Sequence, residues 1–474
     1  MSPFAEFQKA FKGDLITPDH PQYEDSLIRW AANSRRRAAI VAFVKDAEDA
    51  SIALQYAKAQ GLSIAVRGGG HSPAGASSVE GGLVIDLSRH LAGVRVDPDA
   101  KLAYVDGGAL WATVNKETMK HGLATTGGTV GHVRYALTLG GGFGYLAGSH
   151  GLTIDNLVKA TVVIADGSIL TASETENTDL FWGIRGGGSN YGVVTEFVLK
   201  IHPQRTTVFG GVLVFPPSAL EDLMPILIEK DERGLAEKET FLVAITRTQE
   251  KDSILLILFW NGTEEEGRAH YKPFYDLNPV ADMTKERTYV DMNSILDDGN
   301  PVGRNYYLKS VSQPHQDLEI AKRLRDAVHA LSVEHNLDVV LGFEFWSLGK
   351  INSVPNDATA FQRSWWRTSL VSIQYEEDTP ERLAEVRKVA NELTGIVTSM
   401  TKDDHGINGY ANYNSDAPGA SLDIHAPDEV MSTLKTKALF GENHVRLQQL
   451  KRKYDPDLVF NKWFAIRPAE VTSA

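Results

Sequence analysis

Three dense glycine clusters within the first 200 residues constrain this chain more than any other feature. Residues 125–151 read TTGGTVGHVRYALTLGGGFGYLAGSHG. An interior glycine costs a helix or strand roughly 0.5–1 kcal/mol relative to alanine, so such a run predicts neither. It suits a place where backbone must approach something flat or anionic. A second cluster, Arg67-Gly68-Gly69-Gly70-His71-Ser72, comes directly after Leu62-Ser63-Ile64-Ala65-Val66, which reads as a buried strand. Three successive glycines let N–H groups converge on an anion such as a pyrophosphate, or else form a plain turn. The third cluster, Arg185-Gly186-Gly187-Gly188, leads into a strand at 192–199.

A nicotinamide-binding Rossmann unit is the obvious rival. It requires G-x-G-x-x-G opening a helix, with an acid about 20 residues further on. GGGSNYG (186–192) runs into a strand instead, and GGGFGYLAG (140–148) has the wrong spacing. Around the clusters, helices are predicted over 46–60 and 109–121. Strands are predicted over 81–88, 102–106, 157–166 and 169–173. From about 207 to 430 the glycine clusters vanish. Strand-like and helix-like runs alternate there, which predicts an antiparallel sheet covered by helices. The tail from 431 to 461 reads as helical, up to Tyr454-Asp455-Pro456.

Composition matters through what it excludes. The chain has 474 residues, 42% of them hydrophobic, enough for two to four domains. A net charge of −13 argues against nucleic acid as a partner. With no cysteine there are no disulfides, zinc–thiolate sites, cysteine nucleophiles or thiol-linked cofactors. His71, His90, His121, His132 and His150 are scattered without H-E-x-x-H spacing, so no metal is expected. No stretch approaches the ~20 apolar residues of a membrane span. The N-terminus lacks the charged and apolar regions of a secretory signal, so an intracellular, cytoplasmic protein is expected.

Taken in order, the motifs carry a resemblance. RGGGH (67–71), GGLVIDLS (81–88), ATTGGTVGH (124–132), LTLGGGFGYLAGSHGLTIDNL (137–157), DLFWGIRGGGSNYGVVTEF (179–197), GYANYNSD (409–416) and RLQQLKRKYDPDLVF (446–460) are similar to the berberine-bridge-enzyme-like FAD-linked oxidases. These belong to the vanillyl-alcohol-oxidase superfamily and carry a PCMH-type FAD-binding domain. The resemblance implies an α+β fold. Residues 1–205 and 431–474 would form a two-part FAD-binding domain, and 206–430 a substrate domain with an antiparallel sheet covered by helices.

The resemblance also implies site residues. Arg67, Gly68, Gly69, Gly70 and Ser72 would hold the pyrophosphate, and His71 would bond to the flavin 8α-methyl carbon. Gly127, Gly128, Gly131, Gly140, Gly141, Gly142, Tyr145 and Val194 would line the cofactor. Many relatives add a bond from a cysteine to flavin C6. That position is Thr129 here, so the FAD is expected to be mono-covalent, with no 6-S-cysteinyl bond. His132 matches a position that tends to govern oxygen access. Either His132 or Arg134 could stabilise charge on reduced flavin, or both could simply pack. Tyr413 matches the family tyrosine often assigned as base, which needs a nearby cation such as Lys350, Arg363 or Arg367 to ionise near neutrality.

Strand alternation puts Glu344 and Trp346 on one face with Gly342 and Leu348, and Phe343 and Phe345 on the other. Glu344, Trp346, Trp365 (beside Trp366) and Tyr135 are the candidate substrate-pocket residues. A family glutamine after the YDP motif is Phe464 here. The implied enzyme takes hydride from an alcohol, amine or activated C–H carbon of a small or medium organic substrate, and passes electrons to oxygen. A dehydrogenase or cyclising enzyme with poor oxygen reactivity is the rival enzyme. A flavin-holding protein without turnover is the rival from another class. Oligomeric state is not legible.

Overall fold

A computed structural model describes residues 2–133, 135–313, 315–363, 367–399, 409–416 and 429–470; the side chains of 135, 136 and 429–434 are also outside that description. The expectations placed on Arg134, on the Tyr135 side chain and on Trp365 and Trp366 therefore lie outside the described residues.

The fold is α+β, as expected. Near the N-terminus, three parallel strands lie in the spatial order Ile40–Phe43, Leu83–Asp86, Ile64–Arg67, with Asp14–Ile16 antiparallel at the edge. Parallel neighbours need a crossover. The helix Ala47–Ala59 supplies one, and the Asp46 side chain caps it by accepting from the Asp49 N–H. The strand Ile64–Arg67 stops where the glycines begin. Arg67 is anchored there by the fully buried Asp86 carboxylate at 2.8 Å.

A second, antiparallel sheet has the order Val94–Asp97, Leu102–Asp106, Val193–Lys200, Leu157–Val163, Ile169–Ser173. The glycine-rich stretches follow the strand Ile64–Arg67, precede Leu157–Val163 and precede Val193–Lys200.

The third sheet has eight strands. Its main path runs Ala281–Asp282, Thr207–Phe215, Lys251–Trp260, Glu239–Thr248, Asp338–Trp346, Arg367–Tyr375, Asn305–Gln313, all antiparallel. Helices Leu220–Arg233, Leu318–His335 and Pro380–Thr398 cover one face and share a core with it, in which Phe343 and Phe345 are buried. The alternate residues Gly342 and Glu344 point the other way, into a cavity above the glycine loops.

The C-terminal helix Asn443–Tyr454 packs Leu447, Leu450 and Tyr454 into the core of the second sheet. One buried ion pair holds the segment beyond this helix. The Asp455 carboxylate accepts from the N–H groups of Val459 and Phe460, each at 2.8 Å, and meets Lys451 Nζ at 2.7 Å. Lys451 Nζ also donates to the carbonyls of Asn190 (2.6 Å) and Phe460 (2.7 Å). Neither side chain is exposed. Burial pulls the lysine down to about 8 against the pull of Asp455. The YDP motif thus ties the chain's end to the turn Gly188–Asn190, which borders the cavity.

Breaking a buried pair by removing one partner typically costs 3–5 kcal/mol, because a charge is left uncompensated. Asp455→Ala should therefore lose about 3–5 kcal/mol in urea denaturation. A loss within about 1 kcal/mol, the scale of an exposed pair, would contradict this account of the motif.

Candidate active site

The cavity between the glycine loops and the third sheet has a volume of about 2040 Å³. Small-molecule pockets run to roughly 300–1,000 Å³, so this one can hold a large cofactor and a substrate together. Gly68, Gly69, Gly70, His71, Ser72, Thr129, Gly140 and Val194 line one side. Leu242, Ala244, Gly342, Glu344 and Leu370 line the sheet side, with Tyr413 between.

The triple-glycine turn makes an anion nest. Gly70 has φ +67°, and a Cβ there would fall 2.7 Å from Arg29 Cδ. Among the described residues, the N–H groups of Gly68, Gly69 and Gly70 meet no protein acceptor. Arg67 Nε is buried and likewise unpartnered. Behind it the buried Arg29 guanidinium donates to the carbonyls of Ser77, Ser26 and Ile28. Desolvation, and then the neighbouring Arg67, pull Arg29 down to about 9. Unsatisfied donors backed by two guanidiniums suit a pyrophosphate. On this ground the residues present fit a flavin dinucleotide.

His71 sits at the end of the turn in a stack of rings. Trp30 lies on it at 4.6 Å and 13°, and Tyr306 lies on Trp30 at 3.9 Å and 16°. On the other side His132 Nδ1 is 2.8 Å from His71 Nε2. Thus His132 touches the expected attachment residue itself.

Other expected cofactor residues shape the floor from behind. A Cβ at Gly127 would strike Trp111 at 2.3 Å, and one at Gly128 would meet Leu137 at 3.1 Å. The Gly131 N–H donates to Asp297 at 2.7 Å. Gly141 backs onto Phe361, and the Gly142 N–H donates to Tyr410 OH at 3.0 Å. Tyr145 is a correction. It is buried away from the cavity, stacked on Phe259 at 4.9 Å in a cluster with Tyr289 and Met292. Phe464 is buried, and its carbonyl accepts from Asn190 Nδ2 at 3.2 Å.

Over the floor hangs a carboxyl. Tyr413 OH donates to Glu344 Oε1 at 3.0 Å, and Trp346 Nε1 donates to Oε2 at 3.4 Å. Glu344 is 9% exposed. Burial raises its pKa to about 7, against the two hydrogen bonds that favour the anion. Burial, and then the Glu344 charge, push the Tyr413 phenol well above its ordinary value. The cations expected beside Tyr413 are engaged elsewhere: Arg363 with the buried Asp155, and Arg367 with Asp231. Lys350 bears instead on His150 and His202.

Sequence reasoning left Trp30, Arg29, Tyr410 and Asn412 unassigned. Asn412 Nδ2 donates to Tyr410 OH at 2.6 Å and to the Leu137 carbonyl at 3.3 Å, which locks this segment to the glycine loop. Tyr410 and Asn412 stood inside the GYANYNSD motif, so a signal was present; Trp30 and Arg29 had none.

Comparison with known proteins identifies the family. Residues 38–173 match a family model described as FAD binding domain, and 410–467 one described as berberine and berberine like. The chain is 34% identical to the FAD-linked oxidoreductase pgmH of Aspergillus terreus, over 98% of this chain and 96% of that one. Among solved structures, it superposes with a TM-score of 0.85 on a glucooligosaccharide oxidase of Acremonium strictum, whose FAD is 6-S-cysteinyl and 8α-N1-histidyl; identity is 22%, covering 99% and 100% of the chains. Its TM-score with 6-hydroxy-D-nicotine oxidase of Arthrobacter nicotinovorans is 0.80, at 23% identity, covering 97% and 98%.

The raised carboxyl has a consequence for stability. The folded state holds the Glu344 proton up to about pH 7, while an unfolded glutamate releases it near 4.5. Stability should therefore fall as pH rises from 4.5 to 7, by at most ~3 kcal/mol from this group, and stay lowered above. Glu344→Gln removes the titration. Urea denaturation at pH 5 and 8 should show the variant gaining on the parent as pH rises; parallel curves would refute the assignment.

Proposed function

Because the chain belongs to the berberine-bridge-like family of FAD-linked oxidoreductases, we propose that it carries FAD bonded to His71 alone and oxidises a largely apolar alcohol, amine or activated C–H substrate, with Glu344 as the proton acceptor. The observation that carries this reading is the Glu344–Tyr413 pair facing the cavity, 3.0 Å apart. FAD, when bound, supplies the acceptor for the substrate's hydride. The absence of cysteine leaves no residue for a second thioether tether.

The chain's own residues supply position and proton handling. A general base works best with a pKa near the working pH, and Glu344 at about 7 meets that condition. Tyr413 does not, because its partner is an acid and raises it further. It stays protonated and donates to Oε1, which orients the carboxylate and leaves Oε2, beside Trp346, to take the substrate proton. An inert flavin-holding protein would gain nothing from burying an ionisable group there.

Substrate class follows from the sheet register. Leu242 is directly opposite Glu344, Ala244 and Leu370 flank Gly342, and Ile257 pairs with Leu242. Thr246, Ser372 and Gln374 line the cavity only further along these strands. A sugar would lose water from its hydroxyls against such a wall without regaining hydrogen bonds, at a cost of roughly 1–3 kcal/mol for each. An aromatic or otherwise apolar body with one oxidisable polar group fits better than an oligosaccharide. Dioxygen is the electron acceptor in this reading, with peroxide as the product.

A peroxide-coupled panel tests this directly: benzylic alcohols, phenols, cyclic amines and oligosaccharides. The apolar classes should turn over and the oligosaccharides should not; the reverse pattern sinks the substrate reading. For the best substrate, kcat/KM should rise about tenfold per pH unit up to about pH 7 and then level. Glu344→Gln should lower kcat by about 10²–10⁴-fold and abolish that limb. A variant that kept kcat within a few-fold would remove Glu344 as base. Reoxidation of the reduced enzyme by air, followed by stopped flow, separates an oxidase from a dehydrogenase.

A further inference from the structure

We propose that Gly342 and Ala244 form the floor of a slot beside Glu344 that receives a flat, sparsely substituted aromatic ring of the substrate. The inference rests on the oxidation reading of this cavity. It adds which part of the substrate lies where, and why.

A glycine inside a strand weakens it, because it gives up packing and loses more backbone freedom on folding. Its presence marks a close approach of protein atoms, a bulge or bend, or a place kept open for a ligand. Gly210 and Gly211, in the strand Thr207–Phe215 of the same sheet, are of the first kind. A Cβ would fall 2.5 Å from the Leu258 carbonyl oxygen at Gly210 and 2.4 Å from that of Met283 at Gly211. Gly342 differs. The nearest atoms to a Cβ there are the carbonyl oxygens of Leu370 and Val243, both at 3.9 Å, an ordinary van der Waals contact. Its φ is not positive. The register also runs unbroken past it on both sides, from Thr240–Trp346 to Arg247–Val339 and from Asp338–Gln374 to Phe343–Ser369, so no bulge sits here. The first two reasons are thereby removed, and the third remains.

The missing side chain leaves a bounded space. Alternation sends Leu341 and Phe343 into the helix-covered core and Gly342 toward the cavity. Across four strands its row reads Leu255, Ala244, Gly342, Leu370. Two leucines close the ends, and a single methyl group stands between them. Neighbouring strands lie about 4.8 Å apart, so the floor spans the width of one ring lying against the sheet. Along the strands the slot is bounded by the pair Leu242 and Glu344 on one side and by Thr246 and Val340 on the other. All of these residues line the cavity.

The floor selects the chemistry of what lies on it. The peptide groups around Gly342 are committed to ladders with both neighbouring strands. They have no free N–H to give a sugar hydroxyl. What they present is a low, flat surface, which a planar ring approaches more closely than a puckered one. Glu344 stands two residues, roughly 7 Å, along the strand from Gly342. A ring in the slot therefore carries its oxidisable carbon directly or through a short link. Gly342 and Ala244 set specificity, and neither handles a proton.

The test measures binding of benzyl alcohol, cyclohexylmethanol and allyl alcohol to the dithionite-reduced holoenzyme under nitrogen, where none is oxidised. Calorimetry should show the parent binding benzyl alcohol at least about tenfold more tightly than allyl alcohol, the scale of burying one ring. It should also bind benzyl alcohol more tightly than cyclohexylmethanol, whose ring is puckered. Gly342→Val fills the slot and should weaken benzyl alcohol at least about tenfold and allyl alcohol less than about threefold, the difference expected when only the larger ligand meets occupied space. Gly342→Ala should raise the urea midpoint, because the strand gains a side chain and displaces nothing. If Gly342→Val fails to fold, Ala244→Leu enters the same slot from the neighbouring strand, with the same expected losses. Parental affinity for benzyl alcohol in a folded slot-filling variant overturns the inference. So does a parent that binds cyclohexylmethanol or allyl alcohol as tightly as benzyl alcohol, or a urea midpoint lowered in Gly342→Ala, which would assign the glycine to packing. Loss of ring binding in the variants, together with no turnover of any alcohol or amine by the parent, supports the slot and overturns the oxidation reading instead.

Discussion

The floor of the active site exists because backbone lies on backbone where a side chain would otherwise stand. A Cβ at Gly144 would fall 1.6 Å from the Gly127 carbonyl oxygen, and one at Gly188 would fall 2.0 Å from the Trp463 ring. No rearrangement of a flexible side chain relieves the first of these, since the atom it would strike belongs to main chain. The two ends of the 125–151 run can therefore lie one on the other in a thin layer, and backbone N–H groups and carbonyls come within reach of a flat ligand. Elsewhere the same layer is sealed by side chains from distant segments. Trp111 fills the space over Gly127, Asn412 the space over Gly140, and Phe361 the space over Gly141. The glycines thus serve the cavity and the packing behind it at once.

The roof obeys a different constraint. An antiparallel strand normally shows one apolar face to the core and one polar face to water. In Asp338–Trp346 helices cover the apolar face, and around Glu344 the opposite face is apolar too, with Leu242, Ala244 and Leu370 toward the cavity. A carboxyl on such a face is costly unless it is partnered or neutral. Glu344 is both in part: a phenol and an indole N–H hold it, and its pKa lies near 7. The arrangement that costs stability is the one that poises the group for proton transfer, a compromise expected at a functional site.

How much of this was legible in the sequence depended on range. Local signals worked: the strand that stops at Arg67, the helix capped by Asp46, and the placing of Glu344 and Trp346 opposite Phe343 and Phe345 all follow from patterns a few residues long. The strand Asn305–Gln313 escaped notice because its polar residues look like a loop's. They are polar because the segment 409–416 roofs them: Tyr307 OH meets Asp416, the Leu308 N–H meets Ser415, and Ser310 meets the Tyr410 carbonyl. Tyr145 misled in the opposite way. It stands in a cofactor-like glycine run, yet packs on Phe259, over a hundred residues away. Tyr413 was identified by its motif, but its charge environment was not, because the partner that decides it lies 69 residues away in sequence.

The two long-range pairs, Glu344 with Tyr413 and His71 with His132, share one physical logic. Each joins a donor to an acceptor at hydrogen-bond distance, 3.0 and 2.8 Å, and His71, Glu344 and Tyr413 line the cavity. In water such pairs would be worth little, because solvent competes for every proton. Where burial removes that competition, as it does for Glu344, the partner decides which atom carries the proton. Both pairs link segments that sequence keeps far apart: a strand of the large sheet to the 409–416 segment, and the triple-glycine turn to the long glycine loop. Folding must therefore bring all four segments together before either proton can be placed. A substitution that merely loosens this junction, such as one at Asn412 between Tyr410 and Leu137, would disturb both pairs without touching either.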